Sequence, residues 1–230
     1  MLDTIKKLSS RRSTWQVFSD FCEISAITIS NSINRSNWNE REKRYLEIIK
    51  TYNKAEIDLF ADMFGKLIMK LEKNSLSGEL DDVLGGLFHE LGLHNKWTGQ
   101  FFTPMNICNA MSEMTVGNCD EVIKKKGYIT VGEPSVGSGA MVLGIANALD
   151  KKGYNHQKHM RVTATDIDIK CVHMAYIQFA LHGIPAIVVH GNSLILEEWD
   201  KWYTPTYVWG KMGNYIQGTA ISEKSCSTST

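Results

Sequence analysis

Apolar residues recur at intervals of three and four along the first part of the chain, the spacing that places them on one face of a helix. The clearest stretch runs from Ala55 to Leu71, where Ile57, Phe60 and Phe64 share a face. Polar segments rich in Asn, Ser or Gly separate the stretches from one another. The pattern predicts helices over residues 13–32, 39–52, 55–71 and 81–91, and an all-helical N-terminal region over residues 1–95.

The pattern changes after residue 127, where short apolar runs alternate with segments of helical spacing. Such alternation of strand and helix is typical of an α/β fold with a parallel sheet. We therefore predict an α/β domain over residues 96–210, followed by a Ser- and Thr-rich flexible tail over residues 211–230. The predicted strands are 128–133, 161–166 and 186–190, the predicted helices are 106–114, 140–149 and 169–181, and residues 203–209 are a candidate for a fourth strand.

Composition narrows the class of protein. Hydrophobic residues make up 43% of the chain and charged residues 22%, which is ordinary for a globular protein. No apolar run approaches the ~20 residues of a membrane helix, and the first residues lack the apolar core of a secretory signal. The five cysteines are scattered without C-x-x-C spacing, which favours free thiols. These features predict a cytoplasmic protein with no membrane association.

The first predicted strand leads into a glycine-rich turn, E-P-S-V-G-S-G, and then into a helix. Gly137 and Gly139 allow close approach of a ligand to the backbone, and the helix N-terminus presents free N–H groups to it. Val142 stands where a dinucleotide fingerprint needs its third glycine, and the Lys of a phosphate-binding Walker loop is missing. A purely structural turn is the alternative interpretation.

A second segment, K-W-T-G-Q-F-F-T-P at residues 96–104, precedes this turn. The two together resemble motifs X and I of S-adenosylmethionine-dependent N6-adenine DNA methyltransferases, including the type I modification subunits, in the order found there. The resemblance implies a Rossmann-like α/β/α methyltransferase core with a small, truncated parallel sheet. It also implies that S-adenosylmethionine contacts Gln100, Phe101, Phe102, Thr103 and Pro104 in motif X, and Glu133, Pro134, Gly137, Ser138 and Gly139 in motif I.

The ends of the next two predicted strands carry further candidates. Asp166 ends the second strand, where a carboxylate can accept hydrogen bonds from ribose hydroxyls. By resemblance Asp166 is motif II and Ile167 packs against the adenine ring, while Asp168 is an alternative that would instead cap the following helix. Asn192 and Ser193 follow the third strand and resemble motif III, whose polar side chain contacts the amino edge of the cofactor adenine.

The resemblance does not extend to the catalytic motif of the family. The family's Asn/Asp-Pro-Pro-Tyr/Phe motif, which orients the target amine and stacks on the flipped base, does not occur in this sequence. The catalytic residues are therefore unassigned, although Tyr207 or Trp209 could supply a stacking ring. His156 and His159 lack a partner that would complete a metal site, so we expect them at the surface and expect no metal.

Two functions stay open at this point. One is a DNA methyltransferase acting on adenine N6, and the other is an inactive S-adenosylmethionine-binding subunit, or a regulatory or anti-restriction protein, on the same fold. A methyltransferase for another substrate is a third possibility. The 25 basic and 25 acidic residues give no net charge, which disfavours tight independent binding of DNA. DNA contact through a partner subunit, and a homo-oligomer or heteromer that covers the edge of the small sheet, are therefore predicted.

Overall fold

The N-terminal part of the chain is helical. The computed structural model describes residues 1–93 and 102–210. Helices in the first of these ranges are α1 (Leu2–Leu8), α2 (Thr14–Ile33), α3 (Trp38–Ile49), α4 (Lys54–Leu76) and α5 (Val83–Glu90). The four predicted helices are thus present, and the domain boundary near residue 95 stays a prediction because residues 94–101 lie outside the described part.

Local capping sets where these helices begin. The Ser13 side chain accepts a hydrogen bond from the Gln16 amide at the start of α2. Asn53 and Glu56 form a reciprocal capping box at the start of α4, with bonds of 3.0 and 2.9 Å. Each cap satisfies amides that have no partner within the helix. The boundaries were predictable because the signals lie within a few residues of them.

The second described range contains the α/β part of the molecule. Its helices are α6 (Met105–Val116), α7 (Asp120–Lys126), α8 (Ala140–Lys151), α9 (His156–His159) and α10 (Ile169–Leu181), and its strands are β1 (Ile129–Glu133), β2 (Met160–Asp166), β3 (Ala186–Asn192) and β4 (Glu197–Tyr203). Helices α1, α7 and α9 were not predicted, since they are only 7, 7 and 4 residues long and bury too few side chains to show a period. The α/β fold class is confirmed.

The four strands form one sheet in the order β1-β2-β3-β4. Strands β1, β2 and β3 run parallel, so the carboxyl ends of all three meet at the same edge. Helices α8 and α10 connect them and lie on one face, because both crossovers step the same way across the sheet. On β2, Val162 and Ala164 are buried beneath these helices whereas Thr163, on the opposite face, is exposed.

The fourth strand corrects the sequence interpretation. The candidate strand at residues 203–209 is wrong, because residues 205–210 are helical. The strand is instead β4, and it pairs antiparallel with β3. Pro205 stands at the first helical position, where its missing N–H costs nothing, and the bulky Trp202 of β4 is buried. The sheet is therefore mixed rather than wholly parallel.

One hydrophobic cluster joins the helical region to the sheet. Its members include Phe21 of α2, Leu67 of α4, Tyr176 of α10 and Val188 of β3. Helix α2 packs against α10, which in turn covers β2 and β3. No helix in the described ranges is long and apolar enough to cross a membrane.

A buried arginine connects α3 to β4. The Arg41 guanidinium donates to both carboxylate oxygens of Asp200 at 3.1 Å and to the Lys201 carbonyl at 3.0 Å. It also donates to the Ser30 hydroxyl and lies 3.8 Å from the centroid of the Trp202 ring. The guanidinium thus satisfies its donors while covering an aromatic face, the arrangement for which Arg is suited.

Substitution of Arg41 by alanine should lower the free energy of unfolding by about 2–3 kcal/mol. This value is below that of a fully buried pair because the Asp200 side chain is 33% exposed and stays hydrated. Arg44→Ala is the matched control, since Arg44 is an exposed member of the same helix paired with Glu23, and it should cost under about 1 kcal/mol. Urea unfolding of the two variants measures both effects, and equal losses would contradict the role given to Arg41.

Candidate functional site

The turn between β1 and α8 has a shape that its glycines permit. Gly137 has a φ of 55° and Gly139 a φ of 105°, both in the region that side chains disfavour. A Cβ atom on Gly139 would also lie 2.7 Å from Cε1 of Phe179. The Gly139 amide donates to the Val136 carbonyl at 2.9 Å and closes the turn. The predicted glycine-rich turn is therefore present at the carboxyl end of β1.

Helix α8 begins directly after the turn, and no side chain of the described residues caps it. The first amides of a helix have no acceptor within the helix. Because the helix dipole adds partial positive charge there, these amides favour an acceptor group. The predicted strand, turn and helix thus present amide donors at the carboxyl edge of the sheet that no described side chain accepts.

Asp166 links β2 to the turn. One of its carboxylate oxygens accepts the Gly137 amide at 2.8 Å, and the other accepts the Asp168 amide at 2.9 Å. A carboxylate has about four lone-pair sites, so these two bonds leave acceptor capacity for a ligand. Asp168 caps α10, accepting the Lys170 amide at 3.0 Å, which is the alternative role considered for it.

Burial disfavours the ionised forms of two carboxyl groups at this edge. Burial raises the pKa of Glu133, and the nearby charge of Asp166 raises it further. Burial is also the main cause of the raised pKa of Asp166, with bonds from the Asp168 and Gly137 amides acting in the other direction. A cationic group placed near this pair would stabilise both ionised forms.

The third strand brings its polar residues to the same edge. Asn192 ends β3, and its side-chain oxygen accepts the Leu194 amide at 3.0 Å. Glu133, Pro134, Asn192 and Ser193 together line a cleft of about 420 Å³. The structure thus groups candidates that lie far apart in the sequence, and a parallel sheet does this because its strand ends coincide.

Ile167 follows Asp166 and is 62% exposed, an unusual position for a large aliphatic side chain. Its carbonyl lies 3.2 Å from the His190 Nε2 atom. An exposed apolar side chain beside a carboxylate can cover one face of a planar ring. This geometry is compatible with the adenine-packing role expected for Ile167.

Part of the segment that resembles motif X lies against the turn. Gln100 and Phe101 lie outside the described residues, whereas Phe102, Thr103 and Pro104 are described. A Cβ on Gly137 would lie 3.1 Å from Cδ1 of Phe102, so the ring packs directly on the glycine. Thr103 and Pro104 are exposed just before α6. Phe102, at the described end of one segment, is therefore a neighbour of the glycine-rich turn in space.

Ser138 faces away from this edge. Its side chain is buried, and its hydroxyl donates to Asp82 at the start of α5. Gln178 of α10 donates to both the Asp82 carboxylate and the Ser138 carbonyl. The sequence analysis gave neither Asp82 nor Gln178 a role in the site, since no local signal connects residues so far apart.

Some candidates are not brought to the edge. Tyr203 pairs with Ile187 at the start of β3, so the following helix lies at the opposite end of the sheet from Asn192. Tyr207 stacks on Tyr203 there, with ring centroids 5.7 Å apart, and Trp209 belongs to the same helical stretch. Neither ring is therefore placed beside the cleft, contrary to the role considered for them.

The expectation that His156 is a surface residue is wrong. It is buried, its Nδ1 atom lies 2.7 Å from the Asp150 carboxylate, and its Nε2 atom lies 3.2 Å from the His182 carbonyl. It therefore connects α9 to the end of α10. Among the described residues no group of three or more His, Cys, Asp or Glu side chains could hold a metal ion.

Comparison with known proteins places the chain in a family. A model of the N-6 DNA methylase family matches residues 80–212, which is more than half of the chain. A solved structure from Listeria monocytogenes, described as a class I S-adenosylmethionine-dependent methyltransferase, is similar with a TM-score of 0.45 and 13% identity. The similarity covers 84% of this chain and 51% of that one, so the chain spans about half the length of that structure. A search of curated proteins gave no match.

Proposed function

Because the chain belongs to the N-6 DNA methylase family, we propose that it binds S-adenosylmethionine at the carboxyl ends of β1, β2 and β3 and methylates adenine N6 in DNA. The observation that carries the cofactor assignment is the contact between the Asp166 carboxylate and the Gly137 amide. This bond joins an acid that can accept from ribose to the turn that opens α8. The DNA substrate and the adenine acceptor rest on the family.

The residues at this edge fit the cofactor. The spare lone pairs of Asp166 suit the two ribose hydroxyls. The Glu133 carboxylate accepts the Ser135 amide at 3.2 Å on one oxygen, which leaves capacity for a further donor. Asn192 offers an amide donor for the adenine edge, since its side-chain oxygen is already engaged by Leu194. Phe102, Thr103 and Pro104, with Gln100 and Phe101, would flank the methionine part.

The charges at the edge match the charge of the cofactor. When bound, S-adenosylmethionine supplies an electrophilic methyl group on a positively charged sulfonium, so the transfer needs placement of the acceptor amine more than activation. Glu133 and Asp166 are carboxyl groups whose pKa values burial has raised. A cationic ligand would stabilise the ionised forms of both groups, whereas an anionic phosphate would destabilise them further.

Affinity for S-adenosylmethionine should therefore fall as the pH is lowered. Below the raised pKa values of Glu133 and Asp166, the free protein carries protons that binding of the ionised forms must release. The dissociation constant should increase as the pH falls through the acid range, and the increase should begin above the pH at which ordinary carboxyl groups titrate. Calorimetric titration at several pH values measures this. Glu133→Gln is the control, and its affinity should depend less steeply on pH than the affinity of the native protein. An equally steep dependence would contradict the role given to Glu133.

DNA contact through a partner subunit agrees with the charge balance. The chain has 25 basic and 25 acidic residues, and phosphate neutralisation supplies most of the affinity in DNA binding. Strand β1 ends the sheet among the described strands, and an unpaired strand edge can pair with another chain. A second copy or a partner subunit at this edge is therefore part of the proposal.

The test combines two assays on one preparation. Calorimetric titration with S-adenosylmethionine measures binding, and transfer of a tritiated methyl group to unmodified genomic DNA measures the reaction. We expect binding, and transfer that is lost in Asp166→Ala. Binding without transfer would contradict an enzyme that acts without a partner subunit, and would favour a cofactor-holding subunit or a regulatory protein. Absence of binding would overturn the cofactor assignment itself.

A further inference from the structure

Asp82 holds a buried carboxylate at the junction between the helical region and the glycine-rich turn. One of its oxygens accepts the Gly85 amide at 2.9 Å, as the N-cap of α5. The same oxygen accepts the Gln178 side-chain amide at 2.9 Å, and the other oxygen accepts the Ser138 hydroxyl. Three parts of the chain thus donate to a single carboxylate.

A helix cap alone does not explain this burial. An N-cap side chain needs only the amides of the first helical turn and can stay in water. Asp82 is instead 9% exposed, and burial raises the pKa of its carboxyl group. Burying a carboxylate is costly unless its lone pairs are satisfied. The bonds from Gln178 and Ser138 satisfy them, and neither of these residues belongs to α5.

Gln178 uses its whole amide group in this network. Its nitrogen donates to Asp82 and, at 2.8 Å, to the Ser138 carbonyl, while its oxygen accepts the Leu84 amide at 3.2 Å. Ser138 is consequently held at its hydroxyl by Asp82 and at its carbonyl by Gln178. A residue held at two points has little freedom to change its backbone conformation.

Ser138 is the central residue of the turn. It stands between Gly137 and Gly139, both with positive φ. Gly137 donates to Asp166, and Gly139 precedes the first amides of α8. The packing around the hydroxyl is close, since a Cβ on Gly85 would lie 2.7 Å from the Ser138 Oγ atom. The position of Ser138 therefore determines where the flanking amides point.

We propose that Asp82, through Ser138, is a positioning residue for cofactor binding. The inference rests on the proposed function. The Asp82 carboxylate touches no ligand; it fixes the shape of the turn from which the Gly137 amide and the start of α8 reach the cofactor. The helical region in this way helps to shape the binding site, although Asp82 itself does not contact the cofactor.

The test compares affinity for S-adenosylmethionine across a set of variants at a temperature where all are folded. Asp82→Ala leaves the Ser138 hydroxyl and the Gln178 amide without their acceptor, and should weaken binding about tenfold or more. Asp82→Asn keeps an oxygen for Gly85 and Gln178 and a polar group for Ser138, and should restore most of the affinity. Ser138→Ala should weaken binding by about threefold to tenfold, and the double variant should bind no more weakly than Asp82→Ala.

Asn147→Ala is the matched control. Asn147 is also buried and holds the same segment, bonding the Leu80 amide at 2.7 Å and the Leu80 carbonyl at 2.9 Å. It forms no described bond with the turn. The variant should lose thermal stability and keep native affinity, which separates a positioning role from a structural one.

Hydrogen exchange of the amides at residues 137–139, without cofactor, gives a readout independent of binding. Exchange should be faster in Asp82→Ala than in Asn147→Ala. If the native protein binds S-adenosylmethionine and Asp82→Ala binds it with the same affinity, the positioning role is overturned while the proposed function stands. Failure of the native protein to bind would overturn the proposed function, and unchanged exchange in Asp82→Ala would by itself overturn the positioning role. If Asp82→Ala does not fold, Ser138→Ala carries both measurements.

Discussion

Asp166→Ala should weaken binding of S-adenosylmethionine more than the loss of any other single side chain at this edge of the sheet. The substitution removes the acceptor for a ribose diol and also frees the Gly137 and Asp168 amides, which the carboxylate now holds at 2.8 and 2.9 Å. Loss of a partly buried carboxylate acceptor at a nucleoside site costs about 2–4 kcal/mol, which weakens binding by roughly 30-fold to 1,000-fold. Calorimetric titration of the purified variant measures the loss.

Asp168→Ala is the control for this experiment. Asp168 lies two residues away and accepts the Lys170 amide as the cap of α10, so its loss should reduce stability by about 1 kcal/mol and leave the affinity close to the native value. If Asp166→Ala binds as the native protein does, the assignment of Asp166 to the cofactor is wrong. A loss in Asp168→Ala that matches the loss in Asp166→Ala would indicate disturbance of the whole strand end instead.

Gly139→Ala should both destabilise the protein and prevent cofactor binding. Its φ of 105° is unfavourable for alanine, which costs about 1–2 kcal/mol. The new Cβ would also lie 2.7 Å from Phe179 Cε1 and 3.5 Å from the Ala175 Cα, so α10 and the turn must separate, at about 1–3 kcal/mol more. Because the same movement displaces the start of α8, we expect affinity to fall with stability.

Two other glycines separate the cost of the backbone conformation from the cost of the contact with Phe179. Gly153 has a φ of 84° but no atom within 4 Å of its Cβ position, so Gly153→Ala reports the backbone cost alone. Gly132 lies in β1 with a normal φ and open space around it, so Gly132→Ala should be close to neutral. Urea unfolding should rank the losses as Gly139, then Gly153, then Gly132. Equal losses of stability for the Gly139 and Gly153 variants would show that the Phe179 side chain moves aside without a cost in stability.

Much of the molecule was accessible from the sequence because its signals are local. The start of α2 depends on Ser13 and Gln16, and the start of α4 depends on Asn53 and Glu56. The period of apolar residues predicted the three parallel strands and the helices that connect them. The predicted strands also placed Glu133 and Asp166 at strand ends and Asn192 just after a strand, and parallel strands end at one edge.

Other features depend on residues that the chain brings together only when it folds. Nothing near Glu197 shows that β4 pairs antiparallel with β3, because the register depends on both strands. The burial of Arg41 depends on Trp202 and Asp200, which belong to the other end of the chain. Short helices such as α7 lack enough turns to show a period.

The sequence by itself determined the helical region, the α/β class, the glycine-rich turn and the acids at the strand ends, since each is encoded by neighbouring residues. Only the tertiary structure decided that Asp82 and Gln178 hold Ser138, that Phe102 packs on Gly137, and that Tyr207 lies away from the cleft. The physical reason is the range of the interactions: caps and periodicity act within a few residues, whereas a buried hydrogen-bond network exists only after distant segments have packed.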